Sequence, residues 1–152
     1  MSDMITRSII VKADVDRAFD TWANFEKFPM FMKYIQSVHM TGDRTSYWKM
    51  KGPLGKTVEW EAETTLLEEN QRIGWSTKDR ENGNLTTSGQ VTFTPLSQGE
   101  TQITVMLNYV PQTGIVGNMV EKFFANPEAQ LEEDLQNFKN YVEGMYDRTA
   151  AG

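Results

Sequence analysis

Across residues 35–110, apolar and polar positions alternate with a period of two, and turn residues break the alternation at short intervals. The clearest run sets Val58, Trp60, Ala62, Thr64 and Leu66 against Thr57, Glu59, Glu61, Glu63 and Thr65. That is a strand with one face on a core and three carboxylates in water. Before it, Gly42-Asp43 separates a strand ending at Met40 from one carrying Ser46, Trp48 and Met50, and Gly52, Pro53 and Gly55 make the next turn. After it, Glu69-Asn70 turns the chain into residues 72–78, where Ile73, Trp75 and Thr77 share a face. Asn82-Gly83 predicts a type I′ hairpin, because both positions tolerate positive φ. Gly89, Val91 and Phe93 mark the next strand, a turn falls around residues 97–99, and Ile103, Val105, Leu107 and Tyr109 mark the last. Six antiparallel strands joined by short turns make a meander.

The flanking segments differ. Residues 4–11 predict a strand with Ile5, Ile9 and Val11 on one face, and Arg7 falls unexpectedly on that same face. Asp14 is a candidate N-cap for a short helix carrying Arg17, Ala18, Phe19 and Trp22. A second short helix is predicted over residues 26–32, its regularity limited by Pro29. Phe25, Phe28, Phe31 and Met32 crowd this stretch and must bury, in a core or over a cavity mouth. Pro111 and Gly114 end the sheet, and residues 115–124 form a short amphipathic segment. Asn126-Pro127 opens a helix of ~20 residues running to about Tyr146. Its Leu131, Leu135, Phe138, Val142 and Met145 form one apolar stripe, and Glu128, Glu132, Glu133 and Asp134 near its start suit the helix macrodipole.

Strand, two short helices, six-strand meander and long helix is the order of helix-grip domains. Trp22, Phe25-Glu26-Lys27-Phe28-Pro29-Met30-Phe31-Met32 and then Val38 resemble the opening of bacterial polyketide cyclase/dehydrase-like proteins of the SRPBCC (START-like) superfamily. Trp48, Trp60-Glu61-Ala62-Glu63, Arg72-Ile73-Gly74-Trp75-Ser76, residues 88–95 and residues 101–109 resemble the rest of that pattern in order. Asp134-Leu135 with Phe138-Lys139 and Glu143 resembles its last helix. The resemblance spans residues 5–143. It implies an α+β helix-grip fold, with a curved antiparallel sheet of about seven strands, two short helices and a long C-terminal helix. On this reading residues 1–147 are a single helix-grip domain and residues 148–152 a frayed tail. Function follows less directly, because the superfamily holds carriers, cyclases, hydrolases, hydroxylase domains and chaperone regulators. Its quinone-binding branch and that branch's ribosome-associated relatives share a similar Phe-Pro-x-Phe stretch.

Composition narrows the chemistry. The 152 residues carry a formal charge of -6, which disfavours binding to a phosphate backbone, and no nucleic-acid partner is expected. Without cysteine there is neither a disulfide nor a thiol nucleophile, and with one histidine no multi-histidine metal site is expected. The first residues lack a signal-peptide pattern, and no apolar run approaches the ~20 residues that span a bilayer, so the expected location is the cytoplasm. No Gly-x-Gly-x-x-Gly, Walker or nucleophile-elbow pattern occurs, so no cofactor is expected.

Trp48, Met50, Trp60, Trp75, Phe93 and Tyr109 fall on the apolar faces of different strands and, with Phe28, Phe31 and Phe138, are the candidate ligand-binding residues. They either pack a plain core or line a cavity for a small hydrophobic or aromatic ligand. Arg7 either reaches solvent past the strand end or sits at the pocket edge to hold a carboxylate or polarise a carbonyl. His39 is expected on an outer face. The Glu59, Glu61 and Glu63 ladder reads as a solvated face, since same-face strand neighbours lie ~7 Å apart. Three functions stay open: a carrier or sequestering module, a cyclase or dehydrase assisted by Arg7 and Tyr109, and a protein-interaction module using residues 25–32.

Overall fold

The computed structural model describes residues 3–51, 57–77, 86–97, 99–110 and 127–151, leaving aside the side chains of residues 3, 86, 87, 109, 110, 127 and 145–151. Seven antiparallel strands form one sheet: β1 (Asp3–Val11), β2 (Ile35–Met40), β3 (Thr45–Lys51), β4 (Thr57–Glu68), β5 (Arg72–Thr77), β6 (Thr86–Pro95) and β7 (Thr101–Val110). The spatial order is β1-β7-β6-β5-β4-β3-β2, so β2 through β7 meander and β1 closes against the last strand. The fold is the helix-grip α+β arrangement. The period-two pattern survives in the register: Ile5 faces Leu107, Ile9 faces Ile103, Phe93 faces Ile103 and Trp48 faces Trp60. A bulge between Thr64 and Leu66 shifts the pairing of β4 with β5. The extra residue tightens the local twist and turns Leu66, expected inward, to the outer face beside Gly74, while Leu67 comes opposite Ile73 and is exposed. The turn at residues 52–55, the Asn82-Gly83 hairpin, Asp79-Arg80-Glu81 and the 115–124 segment lie outside the described residues.

Helix α1 (Val15–Ala23) starts where Asp14, in an extended conformation, accepts the Ala18 N–H through its carbonyl at 3.0 Å. The Asp14 side chain makes no capping bond, which departs from the expectation. The following segment is a 3-10 helix over Phe25–Met30 rather than a helix over residues 26–32. Pro29 has no N–H to return to the carbonyl four residues earlier, so the tighter winding replaces an α turn. Helix α2 spans Pro127–Ala151, past the expected end at Tyr146 and into the expected tail. Residues 147–151 contain no glycine or proline to stop it; the next glycine is Gly152.

The α2 stripe docks as the spacing predicts. Leu131, Leu135, Phe138 and Val142 are all buried, Phe138 and Val142 completely. Polar ties join the helix to β1. Arg7 is held by Glu128 and by Glu132 at 2.9 Å, and Lys139 reaches the Ile10 carbonyl at 3.2 Å. Glu143 accepts the Lys12 backbone N–H at 2.7 Å and pairs with Lys139. Burial alone would raise the Glu143 carboxyl, but these bonds outweigh it and hold the group below its usual value. His39 is exposed, as its register requires. Glu59 takes the Tyr47 hydroxyl at 2.7 Å and lies 3.8 Å from Lys49.

Because Phe138 is fully enclosed and bridges helix to sheet, Phe138→Ala is expected to lower unfolding stability by ~3–5 kcal/mol. An unchanged urea midpoint would mean that the helix is not docked as described.

Candidate functional site

The buried side chains form two groups instead of one. The larger gathers β1, β2, β5, β6, β7, α1, the 3-10 helix and α2; the smaller holds Met50, Val58, Trp60 and Ala62 on β3 and β4. Trp48 and Ile35 touch both. Between them lies a cavity of about 190 Å³. Ser46, Trp48, Met50, Trp60, Ala62 and Thr64 form its floor on β3 and β4, with Trp75, Val105 and Leu107 beside them. Trp22, Phe25, Phe28, Met32, Tyr34 and Ile35 close one side, and Gln130, Leu131 and Asp134 of α2 close the top. All four tryptophans of the chain are in this lining.

Local sequence explains the aromatic geometry. Trp48 and Trp60 are cross-strand partners whose rings stack at 5.9 Å with 12° between planes. Trp48 Nε1 donates to the buried Ser46 hydroxyl at 2.8 Å, so that indole is satisfied within the wall. Trp75 faces Gly89 on β6, where a Cβ would come within 2.6 Å of the indole ring and 2.5 Å of the Met106 carbonyl. Glycine is what lets the ring lie across the neighbouring strand.

Of the residues singled out from the sequence, Trp48, Met50, Trp60, Trp75 and Phe28 line the cavity. Phe93, Phe31 and Phe138 do not. Phe93 meets Phe19 and Trp22 edge-on, and Phe138 packs on Trp22 and Phe31, so all three form a second layer behind the wall. Arg7 does point to the helix side of the sheet, yet it is not in the lining either. Glu132 and Glu128 hold it against the start of α2 and raise its pKa, which removes the pocket-edge alternative for this cation. Tyr109 belongs to β7, but its side chain is outside the description.

The sequence reading missed Asp134. It was one of four acidic residues near the helix start, read as suiting the helix macrodipole. Helical spacing offered a better clue: Asp134 lies three residues after Leu131 and four before Phe138, at the edge of the buried stripe. It is the one carboxylate among the described lining residues, and no Lys, Arg or His joins it there. Burial pushes its pKa from 3.8 up to about 7, opposed by a 3.2 Å hydrogen bond from Gln130 Nε2. Glu133 adds to the rise and Lys33 opposes it.

Residues 11–136 match the family described as polyketide cyclase / dehydrase and lipid transport. The chain belongs to that family. Within it, the chain is 27% identical over 139 residues to an uncharacterized 17.2 kDa protein from the melC2-rnhH intergenic region of Streptomyces lincolnensis, covering 91% of this chain and 89% of that one. Two solved structures share the fold, both at a TM-score of 0.76. One is a START superfamily protein from Mycobacterium smegmatis, 17% identical, covering 93% of this chain and 98% of the other. The second is the Zhui aromatase/cyclase from Streptomyces sp. R1128, 14% identical, with 94% of each chain covered. The polyketide cyclase / dehydrase and lipid transport fold here contains, among the described residues, no helix long and apolar enough to cross a membrane.

Two consequences can be measured. The folded state keeps Asp134 protonated to higher pH than the unfolded chain does, so stability is lost as pH rises from 3.8 through about 7. Asp134→Asn is therefore expected to match the parent near pH ~4 and exceed it by on the order of 2 kcal/mol near pH ~8. Equal stabilities at both pH values would place the carboxyl in water. Gly89→Ala is expected to displace the Trp75 ring, costing ~1–3 kcal/mol and shifting tryptophan emission. An unmoved spectrum would mean the indole does not lie over Gly89.

Proposed function

We propose that this protein binds a small, flat apolar or aromatic molecule in the cavity between β3, β4 and α2. The observation that carries this reading is the convergence of every tryptophan on one cavity whose wall has few polar groups. Ligand pockets have that composition, apolar walls with a few placed polar atoms. Size narrows the ligand. An apolar cavity of about 150 Å³ holds benzene, whereas drug-sized ligands need roughly 300–1,000 Å³. At about 190 Å³ the space suits one substituted ring.

A second reading, catalysis of the cyclase or dehydrase kind, draws on the family description and on Asp134, whose pKa of about 7 suits a general acid or base at neutral pH. Binding is favoured because an extended poly-keto chain needs more room than this cavity offers. The interaction-module reading loses its surface: Phe28 and Phe31 turn inward, and of the 25–32 stretch Met30 is the exposed apolar residue.

Titration with ethylbenzene is expected to change intrinsic tryptophan fluorescence saturably, with one molecule retained per chain in native mass spectrometry. Trp48→Ala is expected to weaken that binding several-fold through lost ring contact. A folded protein whose emission does not respond would overturn the binding reading.

A further inference from the structure

The cavity wall is not uniformly apolar, and its one ionisable carboxyl is placed where a ligand would touch it. Gln130 engages Asp134 Oδ1; among the described residues no hydrogen bond is made to the other oxygen, Oδ2. The charged groups nearest to it are Glu133 on the same helix and Lys33 at the start of the strand side, and those two pair with each other at 3.8 Å. Tyr34, the hydroxyls of Ser46 and Thr64 and the indole N–H groups are the other polar side-chain groups of the lining, and the Ser46 oxygen accepts from Trp48.

We propose that Asp134 selects the ligand, and that the ligand is a ring compound bearing a neutral hydroxyl, seated with its ring among the tryptophans and its hydroxyl on the free carboxyl oxygen. This inference rests on the binding reading above and names the ligand class for the same site. A hydroxyl suits this position better than the alternatives. It donates to a carboxylate and accepts from a carboxylic acid, so it satisfies Asp134 in both protonation states. A carbonyl serves the protonated state alone. A carboxylate is repelled by the ionised state and finds no cation in the lining, because Arg7 is committed to Glu128 and Glu132. A purely apolar ring offers Oδ2 of the half-buried carboxyl no partner, which costs affinity.

The test uses three matched probes, 4-ethylphenol, ethylbenzene and 4-ethylbenzoate, with binding followed by tryptophan fluorescence on the full chain and on Asp134→Leu and Asp134→Asn. The ratio of the ethylbenzene Kd to the 4-ethylphenol Kd is expected to fall about tenfold in Asp134→Leu, the size of a lost hydrogen bond to a charged group. In Asp134→Asn, which keeps the shape and hydrogen-bonding capacity, the phenol preference is expected to persist and 4-ethylbenzoate to gain affinity. If the two neutral rings bind but their ratio is the same in the parent and in Asp134→Leu, Asp134 does not select the ligand, while the binding reading stands. If 4-ethylbenzoate binds the parent as tightly as 4-ethylphenol, the inference also falls. If none of the three binds a folded sample, the binding reading fails and this inference with it.

Discussion

One helix has to cover the inner face of seven strands. Six inter-strand spacings of ~4.8 Å make a sheet roughly 29 Å wide before curvature, whereas a helix with its side chains is about 10–12 Å across. Helix α2 settles this mismatch by docking to one side. Its apolar stripe lies over the larger core group, and Arg7 and the Ile10 carbonyl on β1, with Lys12 just after it, hold it there through Glu128, Glu132, Glu143 and Lys139. The far strands β3 and β4 are left with a small core group of their own, and the cavity is the unfilled space between the two.

The other elements follow from that asymmetry. Helix α1 and the 3-10 helix fill part of the gap with Trp22, Phe25 and Phe28, and Phe28 meets Trp22, Phe25 and Trp48 edge-on. These rings are too rigid to collapse into the remaining space, because two stiff torsions leave them few ways to repack. On β3 and β4 the stacked Trp48–Trp60 pair keeps the floor flat. A wall of large, stiff side chains thus surrounds a space they cannot fill, and the family description, polyketide cyclase / dehydrase and lipid transport, fits the binding proposed for it.

The helix that closes the cavity also brings its polarity. Docking α2 by the Leu131 and Leu135 stripe turns the adjacent residue, Asp134, toward the cavity edge, away from bulk water. The same docking ties up Arg7 with two glutamates outside the cavity. Of the two alternatives for Arg7, the pocket-edge one thereby drops out, and the ionisable group at the cavity is instead an acid with its pKa pushed up to about 7.

Strand periodicity, turn residues and the helical stripe were enough to determine the meander, the long helix and which face of each element is buried, because those patterns depend on neighbours two to four positions away in the chain. Trp48, Trp60 and Trp75 were legible as inward-facing for the same reason. Which inward residues meet a cavity and which pack solidly was decided only by tertiary structure. Phe93, Phe31 and Phe138 share the inward faces yet lie in the layer behind, because α1 and α2 cover them from the other side. Whether Arg7 or Asp134 reaches the cavity depends on where a helix more than a hundred residues from β1 comes to rest. Local spacing carries no record of that long-range docking, and the chemistry of the site is set by it.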